Sequence, residues 1–178
     1  MKYCAECGSA TENKIPEGDN RPRDCCTVCD LIHYTNPKII CGTIPVRGES
    51  VLLCKRAIEP RYGKWTLPGG FMENGETVSQ GAFRETLEET NTEVEMEELY
   101  AIFNVPQINQ VYMLYLAKVV ADDYSSTSES LDVKFFTENE IPWDDLAFPF
   151  VPKVLKSFFS DLKQGDFPLS THTIERKK

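Results

Sequence analysis

Three glutamates, Glu85, Glu88 and Glu89, stand at i, i+3 and i+4 beside Arg84 within the stretch Gly69 to Thr92, GGFMENGETVSQGAFRETLEETNT. On a helix that spacing projects their side chains from one face within a turn. Like charges so placed destabilise a helix unless a cation sits among them, and hard carboxylate oxygens suit Mg²⁺ or Mn²⁺ better than zinc or copper. A different metal chemistry is written at the amino terminus, where Cys4-x-x-Cys7 and Cys26-x-x-Cys29 are separated by 18 residues. Two such knuckles can close a tetrahedral four-thiolate site for Zn²⁺. Cys25 competes with Cys26 for the third position. Four thiolates leave no open coordination position, so this zinc would be structural.

The elements around these groups follow from pattern. Thr77 can cap a helix running to Asn91, whose left-handed conformation would end it. Ala82, Phe83, Thr86, Leu87 and Thr90 offer the buried side of this helix, and the glutamates its outward side. Ahead of it, Pro68-Gly69-Gly70 turns the chain with glycines that let backbone approach a ligand. Strands are expected in KIICGTIPV and ESVLLCKRA, joined by a hairpin at Arg47-Gly48-Glu49, with Cys41 and Cys54 as small core residues. Trp65 and Leu67 alternate inward in a short strand. Further strands fall at LYAIFNVP, QVYMLYLAKVV and Val133 to Phe136, with a short helix near Glu138. Pro152 to Leu162 carries Val154, Leu155, Phe158, Phe159 and Leu162 at helical spacing, with Gly165 as a stop. Asp122 to Ser130 is a polar, serine-rich loop, and THTIERKK a loose tail.

A chain of 178 residues, 41% hydrophobic, accommodates one well-buried domain and a small appendage. We place the boundary at Asn36-Pro37, giving a ribbon over residues 1–37, with too little apolar content to fold without metal, and a main domain over 38–178. The net charge of −9 argues against extended contact with nucleic-acid phosphates, and the ribbon is no basic platform. No apolar run approaches the roughly 18 residues of a membrane span. The chain reads as soluble and cytoplasmic, without membrane or nucleic-acid partners.

The order Gly70, five residues, Glu76, seven residues, Arg84-Glu85-x-x-Glu88-Glu89 resembles the Nudix box, the signature of the Nudix hydrolases. Every charged position of the box is filled. Two positions depart from it: Thr86 replaces the usual aliphatic residue, a change expected to alter packing only, and Asn91 replaces the usual glycine. The resemblance implies an α/β/α sandwich around a mixed sheet, preceded here by a zinc ribbon. LLCKR, WTLPGG and ESLDVKFFTENEIPWDDLAF are similar to a subgroup with FAD and ADP-ribose pyrophosphatase members, including plant plastid enzymes. NADH pyrophosphatases share the ribbon but carry a downstream S-Q-P-W-P-F-P-x-S array that is missing here.

The implied reaction is metal-dependent cleavage of a diphosphate joining a nucleoside to a second group, with FAD or ADP-ribose giving AMP and the second monophosphate. Glu85, Glu88 and Glu89, with the Gly70 carbonyl, would hold catalytic Mg²⁺ or Mn²⁺. Arg84 would orient them, with Glu76 supporting Arg84. Glu129, in the serine-rich loop, is either a general base or a solvated charge. Arg56 either reaches a phosphate or is a solvated cation, and Phe103, Gln110 and Tyr112 are candidate substrate contacts. Family members are often dimers, which implies a homodimer. Other readings are an NADH pyrophosphatase and a non-catalytic nucleotide sensor with a nucleic-acid-binding ribbon.

Overall fold

The computed structural model describes residues 1–120 and 123–175 and divides into two compact units, Met1–Pro37 and Lys38–Lys178. The first is a three-stranded antiparallel sheet of β1 (Thr11–Lys14), β2 (Arg23–Cys26) and β3 (Ile32–His33) in the order β1-β2-β3. Two tight turns interrupt it. Cys4 N–H donates to the Ser9 carbonyl at 2.7 Å, and Cys26 N–H to the Leu31 carbonyl at 2.8 Å, so each C-x-x-C pair sits on its own knuckle.

The second unit is built on a mixed sheet. Its main path runs β10-β5-β4-β9-β8-β11. The strands are β4 (Lys38–Arg47), β5 (Ser50–Arg56), β8 (Val94–Val105), β9 (Gln110–Val119), β10 (Ser130–Phe136) and β11 (Ser170–Thr173). Two short strands, β6 (Trp65–Thr66) and β7 (Gly69–Phe71), pair with β5 and β4. The β4–β9 and β8–β11 pairs are parallel. The β4–β5 hairpin closes at Arg47↔Ser50, with Gly48 at φ 60°. Residues 171–173, expected to lie in a loose tail, form a strand with Ser170 because their backbone can pair with β8 over Ala101 to Asn104. Residues 176–178 of that tail, Ala121, and Asp122 at the start of the serine-rich loop lie outside the described residues.

Two helices cover opposite faces of this sheet. Helix α1 (Val78–Thr90) starts at a Thr77 capping box, in which the Thr77 hydroxyl accepts from Gln80 N–H and the Gln80 side chain accepts from Thr77 N–H. It ends at Asn91, left-handed at φ 51°. Helix α2 (Phe150–Gln164) ends at left-handed Gly165. Near Glu138 the expected helix is a single 3₁₀ turn, Glu138–Glu140. Adjacent residues of a strand point to opposite faces. Accordingly Thr43 of β4 meets Thr86 of α1, while Ile44 packs into the main core with Val151, Val154 and Leu155 of α2. Trp65 lies in that core, edge-on to Phe136 at 4.9 Å. Among the described residues no helix is long and apolar enough to cross a membrane.

The face α1 turns inward differs from expectation at three positions. Leu87 is 37% exposed, whereas Glu89 is 4% exposed. Thr86, expected to alter packing only, makes a buried polar contact. Its hydroxyl donates to the Ala82 carbonyl at 2.7 Å and lies 2.6 Å from the Thr43 hydroxyl. A hydroxyl has a single proton, so Thr43 is the donor to Thr86. Both side chains are fully buried, and the bond ties the glutamate-bearing helix to the centre of the sheet. Replacing Thr86 with Val should strand the Thr43 proton and lower stability by about 1–3 kcal/mol. The double change Thr43→Val with Thr86→Val should recover most of that loss, as measured by urea unfolding of the four members of the cycle.

Candidate active site

Arg84 is the centre of the charged constellation on α1. Its Nη1 donates to Glu85 Oε1 at 2.8 Å and to Glu88 Oε2 at 3.0 Å. Nε and Nη2 clasp the Glu76 carboxylate at 3.1 and 2.9 Å, and Nη2 also donates to the Phe71 carbonyl at 3.1 Å. All five N–H donors of a guanidinium are thereby used. The Arg84 bond holds the Glu76 carboxyl below its usual range. Glu76 also accepts from Glu73 N–H at 2.7 Å, which tethers the loop ahead of the helix.

Glu89, one helical position on from Glu88, has the opposite surroundings. Its Oε2 accepts from Gly69 N–H at 2.9 Å and faces the Cys54 thiol at 3.5 Å. Burial pushes its carboxyl up to about 7, with the Gly69 bond acting against that shift. Burial raises Glu85 as well, opposed by Arg84. The backbone of Gly70 lies flat against the Glu85 carboxylate, and a Cβ there would collide with its oxygens. Gly81 leaves room in the same way for Glu76 and for Cys41 Sγ. The Cys41 thiol approaches the Gly70 carbonyl at 3.7 Å, and burial lifts its pKa to about 11.

This donor set fits a hard divalent cation. It consists of carboxylate oxygens and a backbone carbonyl, on a backbone cradle that only glycine leaves open. Its members are not closed on one point: among the described residues, Cys4, Cys7, Cys26 and Cys29 form the one group of three or more metal-type donors within 4.8 Å of one another. In the cysteine group Cys4 Sγ lies 3.8 Å from Cys29 Sγ, and Cys7 Sγ 3.4 Å from Cys26 Sγ. The N–H groups of Cys29 and Val28 donate to Cys26 Sγ, both at 3.4 Å, and lower its pKa. Hydrogen bonds from Ser9 bring Cys7 down to about 6. Such thiols are prepared to ligate as thiolates. Cys25, the competitor, is outside the group, buried with its thiol toward the Arg23 carbonyl.

Glu85, Glu89, Gly70 and Glu129 line one cavity of about 520 Å³ together with Arg56, Gln110 and Tyr112. Glu129 is fixed by backbone bonds, its carbonyl accepting from Ala57 N–H at 2.8 Å, and its charge contributes to the rise at Glu85. Arg56 is 9% exposed, donates from Nε to the Pro60 carbonyl at 2.9 Å, and lies over the Phe148 ring at 5.2 Å. No carboxylate pairs with it within 4.0 Å among the described residues. A buried cation without an ion-pair partner, facing a cavity, is a site for an anion.

Phe103 does not reach this cavity. It is fully buried, stacked on His172 at 4.8 Å and tilted against Phe150 at 5.6 Å, because it lies on the α2 face of the sheet under the main core. Phe148 and Ile108, absent from the sequence expectations, line the cavity in its place. The alternation F-P-F before α2 was the available signal, since a proline between two aromatics fixes where each ring can go.

Two families match this chain: one described as NUDIX domain, over residues 38–158, and one described as Nudix N-terminal, a zinc ribbon, over residues 2–35. A Methanocaldococcus jannaschii protein named ADP-ribose pyrophosphatase is 28% identical over 129 residues, 70% of this chain and 75% of that protein. A Vibrio vulnificus protein named NAD-capped RNA hydrolase NudC is 31% identical over 144 residues. That match takes in 80% of this chain but 53% of the relative, so the chain spans about half its length. A solved structure titled as a NUDIX hydrolase from Nitrosomonas europaea superposes with a TM-score of 0.93 at 51% identity, covering 98% of this chain and 100% of that one.

The raised pKa of Glu89 makes a pH prediction. Its folded value near 7 exceeds the ordinary value of 4.5, so the metal-free folded state binds this proton more tightly than the unfolded chain does. The associated stability is fully present below about pH 4.5 and is lost as pH rises through about 7. A shift of that size corresponds to on the order of 3 kcal/mol. Thermal unfolding without added Mg²⁺ should therefore show a declining stability across this window that is largely absent in Glu89→Gln. Mg²⁺ should raise the wild-type Tm more at pH 8 than at pH 6.

Proposed function

This chain belongs to the Nudix hydrolase family and carries that family's amino-terminal zinc ribbon, and from this premise we propose that it hydrolyses the pyrophosphate bond of an adenosine diphosphate linked to a second group. ADP-ribose and FAD are the leading substrates, each giving AMP and a second monophosphate. The observation that carries the reading is the cavity itself: a wall of Glu85, Glu89 and Glu129 faces the buried, unpaired guanidinium of Arg56. Carboxylates alone repel a diphosphate, and Arg56 alone does not neutralise one. The combination is suited to a diphosphate that arrives with divalent cations.

In this reading Glu85, Glu88, Glu89 and the Gly70 carbonyl hold Mg²⁺ or Mn²⁺. When bound, the cation supplies neutralisation of the diphosphate oxygens and a more acidic water. Arg84 keeps Glu85 and Glu88 aimed, since it bonds both while anchored on Glu76 and Phe71. Arg56 binds a phosphoryl oxygen. Glu129 takes the proton of the attacking water as its oxygen bonds to phosphorus and the bridging P–O bond breaks. Gln110 and Tyr112 meet the organic part of the substrate. The four ribbon cysteines hold a structural Zn²⁺, supported by their shared 4.8 Å reach and the lowered thiols of Cys7 and Cys26. The proposal keeps the cytoplasmic residence read from the sequence and the homodimer that the family resemblance implies.

NAD-capped RNA, or the free dinucleotide NADH, is the second reading, favoured by the Vibrio relative's name and by the shared ribbon. Its substrate also carries an adenosine diphosphate, so the two readings differ in the second group and, for the capped RNA, in the chain carried on the adenosine 3′-oxygen. Chromatography of products from ADP-ribose, FAD, NADH and an NAD-capped oligonucleotide with Mg²⁺ separates them. Preferred turnover of the capped oligonucleotide would replace the first reading by the second.

Glu89→Gln and Glu88→Gln should each lower turnover by several orders of magnitude while the circular dichroism spectrum stays native. Wild-type-like hydrolysis by either would overturn the metal-site assignment. In the ribbon, Cys26→Ser should reduce the bound zinc, read by atomic emission, from one equivalent to a small fraction, whereas Cys25→Ser should leave it near one.

A further inference from the structure

Beyond Tyr112 and Phe148 the cavity continues into a second one of about 330 Å³. The two share Ile108, Tyr112 and Phe148 in their linings, so one cleft has two ends. Their chemistry differs. The first end carries Glu73, Glu85, Glu89 and Glu129, whereas the second has no carboxylate in its lining. Its walls are Val105, Ile108, Phe150 and Ile174, with Gln107 at the rim and Arg61 at the mouth.

The aromatic side chains make a floor suited to a flat ring. Tyr112 and Phe150 have centroids 4.5 Å apart with their planes tilted by 40°, and Phe148 lies nearly parallel to Phe150, at 6° and 6.0 Å. Phe150 is buried and fixed by α2, while Phe148 and Tyr112 are partly exposed to the cleft. Arg56 sits over Phe148, at the junction of the two ends. An anion bound by Arg56 therefore places whatever is attached to it beside this floor. Arg61 holds φ 70°, a left-handed conformation that arginine seldom adopts. Its carbonyl accepts from Lys64 N–H, which fixes the turn that carries it to the mouth.

Gln107 supplies the direction of a hydrogen bond. Its Nε2 donates to the Ile174 carbonyl at 2.9 Å, tying the end of the chain's last strand to this rim. One of its two N–H donors is so engaged, which fixes the orientation of the amide and leaves Oε1 as acceptor and the second N–H as donor to a ligand. Held in that orientation, the amide matches a ring edge that sets an amino donor beside a ring-nitrogen acceptor, and mismatches one on which a carbonyl takes the place of the amino group.

We propose that this second end is the base subsite, that it seats the adenine ring on Tyr112, Phe148 and Phe150, and that Gln107 Oε1 selects adenine by accepting from its exocyclic amine. The inference rests on the pyrophosphatase reading above and sharpens it. Specificity lies in the adenosine half, and the second group extends from the acidic end without an aromatic pocket of its own. Ribose phosphate and larger groups are then alternative occupants of the same open end. Gln107 and Phe148 are specificity residues and take no part in bond cleavage.

The test compares ADP-ribose with its inosine counterpart, in which a carbonyl stands in place of the amine, on the zinc-loaded full chain with Mg²⁺. A site built to hydrogen-bond a substrate group rejects the analogue that lacks it, and a preference of at least about tenfold in kcat/KM is expected here. Gln107→Met should bring the ratio towards one by raising KM for ADP-ribose at little change in kcat. Gln107→Glu, which keeps an acceptor oxygen, should retain a preference. Phe148→Ala should raise KM for both substrates alike. Equal hydrolysis of both by the wild type, or a preference that survives Gln107→Met, overturns the subsite. Should neither compound be cleaved, the pyrophosphatase reading fails. Calorimetric titration with AMP and IMP, without added Mg²⁺, then decides the subsite by itself: tighter AMP binding supports it and equal binding refutes it.

Discussion

The site depends on one saturated guanidinium. Arg84 spends its donors on Glu76, Glu85 and Glu88 and on the Phe71 carbonyl, joining the loop ahead of α1, the helix itself and the short strand β7. Three carboxylates gathered so closely would repel one another in any other arrangement. Their common partner turns repulsion into a fixed geometry. A bidentate clasp on Glu76 adds direction as well as energy, and a lysine could supply neither the fork nor the number of donors. The glycines follow from the same demand for closeness, because a side chain at position 70 or 81 would occupy the space taken by Glu85 or Glu76.

Glu89 is held by a different force. It turns away from Arg84 into the protein, where a backbone amide and a thiol are its partners and desolvation raises its proton affinity. Neighbouring positions on one helix thus carry a carboxylate bonded directly to a cation and a buried carboxylate whose cation, Arg56, acts on it without an ion-pair contact. The second kind is the stronger invitation to a metal ion, since the charge it has lost to burial is regained when a cation replaces the proton. The buried Thr43–Thr86 bond acts on the same helix from below, one turn ahead of Thr90, and keeps the depth at which Glu89 enters the sheet.

Much of this was legible in the sequence, for a reason that differs by element. The i, i+3, i+4 carboxylates, the Thr77 cap and the Asn91 stop are local features, set by residues a few positions apart, and they formed as expected. The cysteine knuckles were equally local, although the choice between Cys25 and Cys26 was not. That choice follows from which thiol the β2 backbone turns towards Cys7, a question of strand facing. The burial of Glu89, the exposure of Leu87 and the depth of Phe103 depend on the angle at which a helix or strand meets the sheet. Periodicity gives a face but not that angle. Strand β11 was missed because STHT has little apolar content, and its pairing with β8 is supplied by backbone groups.

The two metal chemistries occupy separate folding units and are separated again by the hardness of their donors. Four thiolates on two knuckles would close a zinc ion on all sides, whereas carboxylates beside a glycine backbone would leave a hard cation open to further oxygen ligands. An acidic chain of net charge −9 can act on a polyanion only if cations accompany the substrate or a buried guanidinium meets it. Here the acidic end sets carboxylates suited to such cations beside the guanidinium of Arg56, and the cleft changes character beyond Phe148. The charged end can read little more than the phosphates, which every nucleoside diphosphate derivative shares. Discrimination among bases must therefore come from the uncharged end, where aromatic area and the oriented amide of Gln107 face the part in which nucleosides differ.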